Sequence, residues 1–147
     1  MTAKPTLHIV AAVLVNGQGQ LLLARRPSGK DLPDQWEFPG GKLEAGESEA
    51  EALVRELREE LSLSLTPSDL QPLPFAIDHE FPKFFVHIPL FEARVESAAV
   101  WGAEGQEICW LPVENFAAMD ILPGIRGILP DLQARYAAVL TLESLFA

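Results

Sequence analysis

The sequence has little cysteine and little positive charge, and each shortage excludes a class of protein. Cys109 is the single cysteine, so no internal disulfide can form, and its apolar neighbours predict a buried, inert thiol suited to a reducing cytoplasm. Eleven basic residues stand against 21 acidic ones, a net charge of −10. Such a chain should be repelled by DNA and RNA, so a nucleic-acid polymer is excluded as a partner.

The N-terminal apolar run, residues 7–15, is also too short to span a bilayer. Only Lys4 precedes it as a basic residue, and a turn sequence follows where a signal peptide would carry its cleavage site. We therefore expect a cytoplasmic protein with no membrane association. Its 147 residues, 48% of them apolar, predict one domain over residues 1–147. A monomer and a homodimer fit this composition equally.

Residues 40–63, GGKLEAGESEAEALVRELREELSL, hold the most informative pattern. Read as a helix over about residues 48–61, the segment places an apolar stripe on one face: Ala50, Leu53, Val54, Leu57 and Leu61. Glu56, Glu59 and Glu60 gather on one flank, although like charges at this spacing destabilise a helix. The carboxylates beside a glycine-rich loop indicate a cation site; the alternative is a solvated acidic face.

The ligands on offer are hard oxygens, with no cysteine or histidine in the segment, which favours Mg²⁺ or Mn²⁺ over Zn²⁺. Magnesium takes few carboxylates, keeps several waters and completes its shell with substrate phosphate oxygens. A small anionic substrate is compatible with the acidic chain if metal ions mask its phosphates.

The spacing of the whole segment resembles the signature of the Nudix hydrolase family. Seven positions match across 20 residues: Gly41, Glu47, Arg55, Glu56, Leu57, Glu59 and Glu60. The preceding WEFPGGK is similar to the MutT-like branch. One position departs, since Ser62 stands where the family usually has a glycine that caps the helix in a left-handed conformation.

The resemblance implies roles for individual residues. Glu56, Glu59 and Glu60 would be metal ligands, with the backbone carbonyl near Gly40 completing the shell. Glu47 and Arg55 would brace the loop against the helix.

Outside this segment, Glu104 lies in Trp-Gly-x-Glu-Gly-Gln, and by resemblance it would ligate the metal or assist the attacking water. Arg25 and Arg26 end a strand, so one should face the cleft and the other solvent. By analogy with the family Arg25 is the expected phosphate contact; a solvated strand end is the alternative.

Asp120 aligns with the base-reading position of the branch, where asparagine is usual. An ionised carboxylate only accepts hydrogen bonds, so it suits an oxidised guanine and a cytosine alike. A helix N-cap is the competing interpretation. Phe38 and Phe81 are candidates to flank a base, with core packing as the alternative.

The order of the patterns predicts the fold class. Strands are expected at residues 7–15, 20–26, 36–38, 73–80, 84–93 and 108–113, with a helical C-terminal part interrupted near Pro130. This is an α/β protein with a mixed sheet between helices. It agrees with the α/β/α sandwich that the resemblance implies.

The resemblance implies a Mg²⁺-dependent nucleoside triphosphate pyrophosphohydrolase, and the hard-oxygen ligands agree with it. Glu56 is the first candidate for the general base, with Glu104 and Glu60 behind it. The expected substrate is 8-oxo-dGTP or a related nucleoside triphosphate, with nucleotide-pool sanitation as the role. The alternatives are a CTP or 5-methyl-dCTP pyrophosphohydrolase and, in another class, a non-catalytic nucleotide sensor with the same fold.

Overall fold

The computed structural model describes residues 4–25 and 35–137. Within them the strands are β1 (Thr6–Val15), β2 (Leu21–Arg25), β3 (Trp36–Glu37), β4 (Gly40–Lys42), β5 (Gln71–Glu80), β6 (Phe85–Arg94) and β7 (Glu107–Leu111). The α-helices are α1 (Glu49–Leu61), α2 (Pro123–Arg126) and α3 (Leu129–Tyr136), and short 3₁₀ turns lie at Pro67–Asp69, Ser97–Ala99 and Val113–Ala118.

The seven strands form one mixed sheet. Its main order is β3-β2-β1-β6-β5, with β4 paired to β1 and β7 paired to β2. The β1–β6 pair is parallel, whereas the other pairs are antiparallel. The predicted mixed sheet is confirmed.

Helices cover both faces of this sheet, and β1 shows why. Residues 10–15 of β1 are all buried, as expected for a strand covered on both sides. Its odd-numbered residues, such as Val13, join a core with α2, α3 and the 3₁₀ turn Val113–Ala118. Its even residues, such as Leu14, join a core with α1. The sandwich predicted from the order of the elements is therefore present.

Helix α1 begins with a capping box and packs on the sheet through its apolar stripe. Ser48 caps its start: the Ser48 hydroxyl accepts from the N–H of Glu51, and the Glu51 carboxylate accepts from the N–H of Ser48. On the predicted stripe, Leu53, Leu57 and Leu61 are fully buried. Each contributes about 1.5–3 kcal/mol of burial free energy, which holds the helix against the sheet.

One prediction about the elements was wrong. Gly40–Lys42, expected to be loop, pairs with β1 as strand β4 because the glycines let the backbone approach closely. The expected interruption near Pro130 is present: α2 ends at Arg126, α3 begins at Leu129, and Pro130 lies in the first turn of α3, where its missing N–H costs nothing.

None of the helices in the described ranges is long and apolar enough to cross a membrane. Residues 26–34 lie outside the described residues, as does the end of the expected helical C-terminal part, residues 138–147.

Candidate active site

Strand β4 brings the loop before α1 into contact with β1 and with a carboxylate of the helix. Gly40 lies opposite Ala11 in antiparallel register, and a Cβ on Gly40 would collide with the carbonyl oxygen of Val10. A Cβ on Gly41 would collide with the carboxyl group of Glu56. The two glycines therefore allow a close approach on both sides of this backbone.

Arg55 connects that loop to α1. Its Nε and Nη2 donate to the two oxygens of Glu47, at 2.8 and 2.9 Å, which is a bidentate ion pair. Its Nη2 also donates to the carbonyl of Lys42 at 3.1 Å, and its Nη1 donates to Glu56 Oε1 at 3.0 Å. The hydrogen bond from Arg55, with one from the Glu44 N–H, lowers the pKa of Glu47. Glu47 thus stays ionised, and Arg55 orients Glu56.

Glu60 is partly buried beneath the glycine loop that precedes α1. Its Oε2 accepts a hydrogen bond from the N–H of Gly40 at 3.2 Å. Burial, followed by the charge of Glu56, raises the pKa of Glu60 to about 8; the Gly40 hydrogen bond opposes this shift. The charges of Glu37 and Glu104 raise it further. Four carboxylates thus act on one another at this point of the fold.

Glu56 and Glu59 differ in their surroundings. Burial raises the pKa of Glu56, Arg55 opposes the shift, and the charges of Glu59 and Glu104 add to it. The side chain of Glu59 is 54% exposed and reaches Arg55 Nη1 only at 3.5 Å. Of the three glutamates predicted to act together, Glu56 and Glu60 therefore face inward, whereas Glu59 lies at the rim.

The donor set fits a hard divalent cation. Across residues 4–25 and 35–137, no three Asp, Glu, His or Cys side chains already converge as a metal site. Mg²⁺ does not require such a cage, because it binds through one or two carboxylates and keeps waters and phosphate oxygens. Burial and mutual repulsion disfavour the ionised forms of Glu56 and Glu60, and a nearby cation would favour them.

The loop containing Glu104 docks on the C-terminal end of α1, where helix carbonyls lack partners within the helix. The N–H of Ala103 donates to the carbonyl of Glu60 at 2.8 Å, and the N–H of Trp101 donates to the carbonyl of Leu61 at 3.3 Å. Gln106 Nε2 also donates to the Glu60 carbonyl, at 3.0 Å. Glu104 is thereby placed where its charge acts on Glu56 and Glu60, and its contact with a metal stays a prediction.

Arg25 is the last residue of β2, in register with Trp36 on one side and Glu107 on the other. Its Nη1 lies 3.3 Å from Glu107 Oε1. It is thus next to the strand that leads into the glycine loop, and its contact with a phosphate stays a prediction. Arg26 lies outside the described residues.

Asp120 is hydrogen-bonded to the start of β3. Its carbonyl accepts from the N–H of Trp36 at 2.8 Å, and its carboxylate accepts from Gln35 Nε2 at 3.3 Å. The interpretation of Asp120 as a helix N-cap is wrong, because α2 begins at Pro123 and Leu122 occupies the cap position. Base reading by Asp120 stays a prediction.

The two phenylalanines occupy different environments. Phe38 is only 5% exposed and packs in the core, with its ring centroid 6.2 Å from that of Phe116. Such a ring has little surface left for a base, so this placement favours the core role. Phe81, at the β5–β6 hairpin, packs against Phe84 with the two rings tilted by 34° and makes an edge contact with His79. Contact of Phe81 with a base stays a prediction.

Two neighbours of the carboxylates carried no predicted role. Glu37 precedes the loop within WEFPGG, and its charge acts on Glu60. Gln106 ends the Trp-Gly-x-Glu-Gly-Gln motif and binds the helix end. Their positions within matched motifs were the available signal, but only the fold shows that both face Glu60.

Comparison with known proteins finds similar sequences and similar folds. A family model of the NUDIX domain matches residues 5–132. The chain is 33% identical to the 8-oxo-dGTP diphosphatase of Escherichia coli over 86% of its length and 96% of that protein. It is 31% identical to the CTP pyrophosphohydrolase of the same organism, over 88% and 93%. The MutT protein of Methanosarcina mazei has the same fold, with a TM-score of 0.81 at 23% identity, covering 94% of this chain and all of that one.

Proposed function

The chain belongs to the NUDIX domain family, and from that premise we propose that it is a Mg²⁺- or Mn²⁺-dependent nucleoside triphosphate pyrophosphohydrolase. In the proposed reaction water attacks phosphorus, and the triphosphate is cleaved to a nucleoside monophosphate and pyrophosphate. The favoured substrate is 8-oxo-dGTP, and the cellular role is sanitation of the nucleotide pool.

One observation carries the proposal. Glu56 and Glu60 lie side by side on α1 beneath a loop whose glycines leave no side chain between the backbone and these carboxylates. A paired, partly buried arrangement of like charges is unfavourable in itself. A cation with a polyphosphate would make it favourable.

The residues of the chain then divide the work. Glu56, Glu60 and Glu104 would hold the ion, with Glu59 at the rim, and the carbonyl of Gly40 is a further candidate ligand. A bound ion would offset charge on the polyphosphate and ease deprotonation of the attacking water.

Glu56 is the proposed base that accepts the proton of the water. Its raised pKa suits that task, and Arg55 fixes its orientation through the 3.0 Å hydrogen bond. Arg55 and Glu47 would hold the loop in place, and Arg25 would contact a phosphate.

Asp120 supports two substrates. Its carboxylate already accepts from Gln35 Nε2 and has acceptor capacity left for a base edge that offers donors. Guanine offers N–H donors and cytosine offers its amino group. Since the relatives above include both an 8-oxo-dGTP diphosphatase and a CTP pyrophosphohydrolase, a CTP or 5-methyl-dCTP pyrophosphohydrolase is the second candidate.

The test is pyrophosphate release with Mg²⁺ or Mn²⁺ across 8-oxo-dGTP, dGTP, CTP and 5-methyl-dCTP. We expect the highest kcat/KM for 8-oxo-dGTP; preference for a cytidine nucleotide would favour the second candidate. Binding without hydrolysis of any of them would contradict the proposal and indicate a sensor.

Glu56→Gln should lower turnover by about 10²–10⁴-fold, the usual contribution of general-base catalysis, without changing the fold. Glu49→Gln is the matched control, since Glu49 is exposed in the first turn of the same helix. Equal turnover of both variants would dismiss Glu56 as the base.

A further inference from the structure

Gln106 uses both ends of its side-chain amide to connect two backbone segments of the site. Its Nε2 donates to the carbonyl oxygen of Glu60, at 3.0 Å, and its Oε1 accepts from the N–H of Glu104, also at 3.0 Å. The orientation of the amide is determined by these partners, because a flipped amide would set donor against donor and acceptor against acceptor.

The loop around Gln106 is folded tightly enough to make this bridge. A Cβ on Gly102 would collide with the carbonyl oxygen of Gln106, so the two ends of the loop lie against each other. Gly105 has a φ of +82°, a left-handed conformation that turns the chain between Glu104 and Gln106. The loop is thus a compact unit, and Gln106 fastens it to α1 together with Ala103.

Glu104 depends on this fastening for its position. Its side chain is exposed and makes no ion pair within the described ranges, so the place of its carboxylate is set by its backbone. Glu56 and Glu60 repel it. A loop released from the helix would therefore carry Glu104 away from them.

We propose that Gln106 is a positioning residue: its amide holds Glu104 against the Glu60 end of α1, so that carboxylates from the loop and the helix face one divalent ion. This inference rests on the proposed function, because it assigns the Glu104 loop to the same metal-dependent site. Gln106 itself touches neither ion nor substrate.

The test combines Gln106→Met, which keeps the length and removes both hydrogen bonds, with Glu104→Gln and the double variant. Mn²⁺ affinity is measured by electron paramagnetic resonance without nucleotide, and kcat/KM is measured with it. We expect each single variant to weaken Mn²⁺ binding and kcat/KM by about 10–100-fold, the usual loss for groups that orient metal ligands. The double variant should lose no more than Glu104→Gln alone.

Gln106→Glu is the second variant, since it keeps an acceptor for the Glu104 N–H but sets a carboxylate against the Glu60 carbonyl; it should lose Mn²⁺ affinity as well. Gln133→Met, an equal change at an exposed position of α3, is the control and should bind Mn²⁺ like the wild type. Circular dichroism and melting confirm that each variant is folded.

Wild-type Mn²⁺ affinity in both Gln106 variants, or losses that multiply in the double variant, would overturn the inference. A wild-type protein that binds Mn²⁺ but hydrolyses no nucleotide would instead refute the proposed function, while the Mn²⁺ measurements would still decide the role of Gln106.

Discussion

Replacing Ser62 by glycine should stabilise the protein, although it adds no contact. Ser62 ends α1 with φ 52° and ψ 28°, and it is the only non-glycine residue with positive φ in the described ranges. Its backbone N–H donates to the carbonyls of Arg58 and Leu57, and the N–H of Leu63 also donates to the Leu57 carbonyl, at 3.3 Å. These bonds satisfy the last turn of the helix only if residue 62 adopts the left-handed conformation.

The magnitude follows from two opposing effects. A left-handed conformation costs an L-residue about 1–2 kcal/mol, because Cβ approaches the following carbonyl oxygen. Glycine removes that cost but loses about 0.4–1 kcal/mol through the larger entropy of the unfolded chain. The midpoints of these two ranges differ by about 0.8 kcal/mol, and Ser62→Gly should raise the free energy of unfolding by about that amount. For a chain of this size this corresponds to about 2–3 °C in melting temperature.

Urea unfolding at 25 °C, followed by circular dichroism, measures the change. Ser62→Ala separates the backbone from the hydroxyl: it keeps Cβ, so it should stay near the wild type. Ser64→Gly is the matched control two residues further on, where φ is not positive. It should lower the free energy of unfolding by about 0.4–1 kcal/mol.

A Ser62→Gly protein no more stable than the wild type would refute this reasoning. So would equal changes in Ser62→Gly and Ser64→Gly, because the backbone conformation at residue 62 would then have no energetic consequence.

Two further predictions concern the carboxylates. Gly41→Ala should lower kcat by about 100-fold, because the new Cβ would displace the Glu56 carboxylate. The loss of stability should be small, because Gly41 lacks a positive φ and the atoms nearest the new Cβ belong to the end of a side chain. Melting and turnover of the variant check this, and unchanged turnover would contradict it. In EDTA, the free energy of unfolding should fall as pH rises from 4.5 to 8. The raised pKa of Glu60 makes the folded state bind more protons than the unfolded state in this window. The slope should be at most about 1.4 kcal/mol per pH unit. Urea titrations at several pH values should show a shallower slope for Glu60→Gln, and an equal slope in both proteins would exclude Glu60 as its source.

Local patterns predicted the helix well. The period of the apolar residues placed Leu53, Leu57 and Leu61 on the buried face, because helix geometry converts spacing along the chain directly into position. The contact between Glu47 and Arg55 was implied by the family resemblance, and the structure contains it.

The errors arose where partners distant in the chain decide the structure. Strand β4 forms because Gly40 pairs with Ala11 of β1, and the local sequence does not indicate that pairing. Asp120 looked like a helix cap because a helix follows, yet its backbone bonds to Trp36 and the helix starts later. Phe38, a candidate base contact with core packing as its alternative, is buried beside Phe116, a residue distant in the chain, which favours the alternative.

The carboxylate-bearing helix and the family signature can be recognised from the sequence alone, because both depend on the spacing of residues that are close together in the chain. Which carboxylates face one another depends instead on how distant segments pack. Glu56 and Glu60 turn inward while Glu59 stays at the rim, and Glu37 and Glu104 arrive from a strand and a loop far away in the chain. That division depends on how two segments distant in the chain pack against α1, which no local pattern specifies.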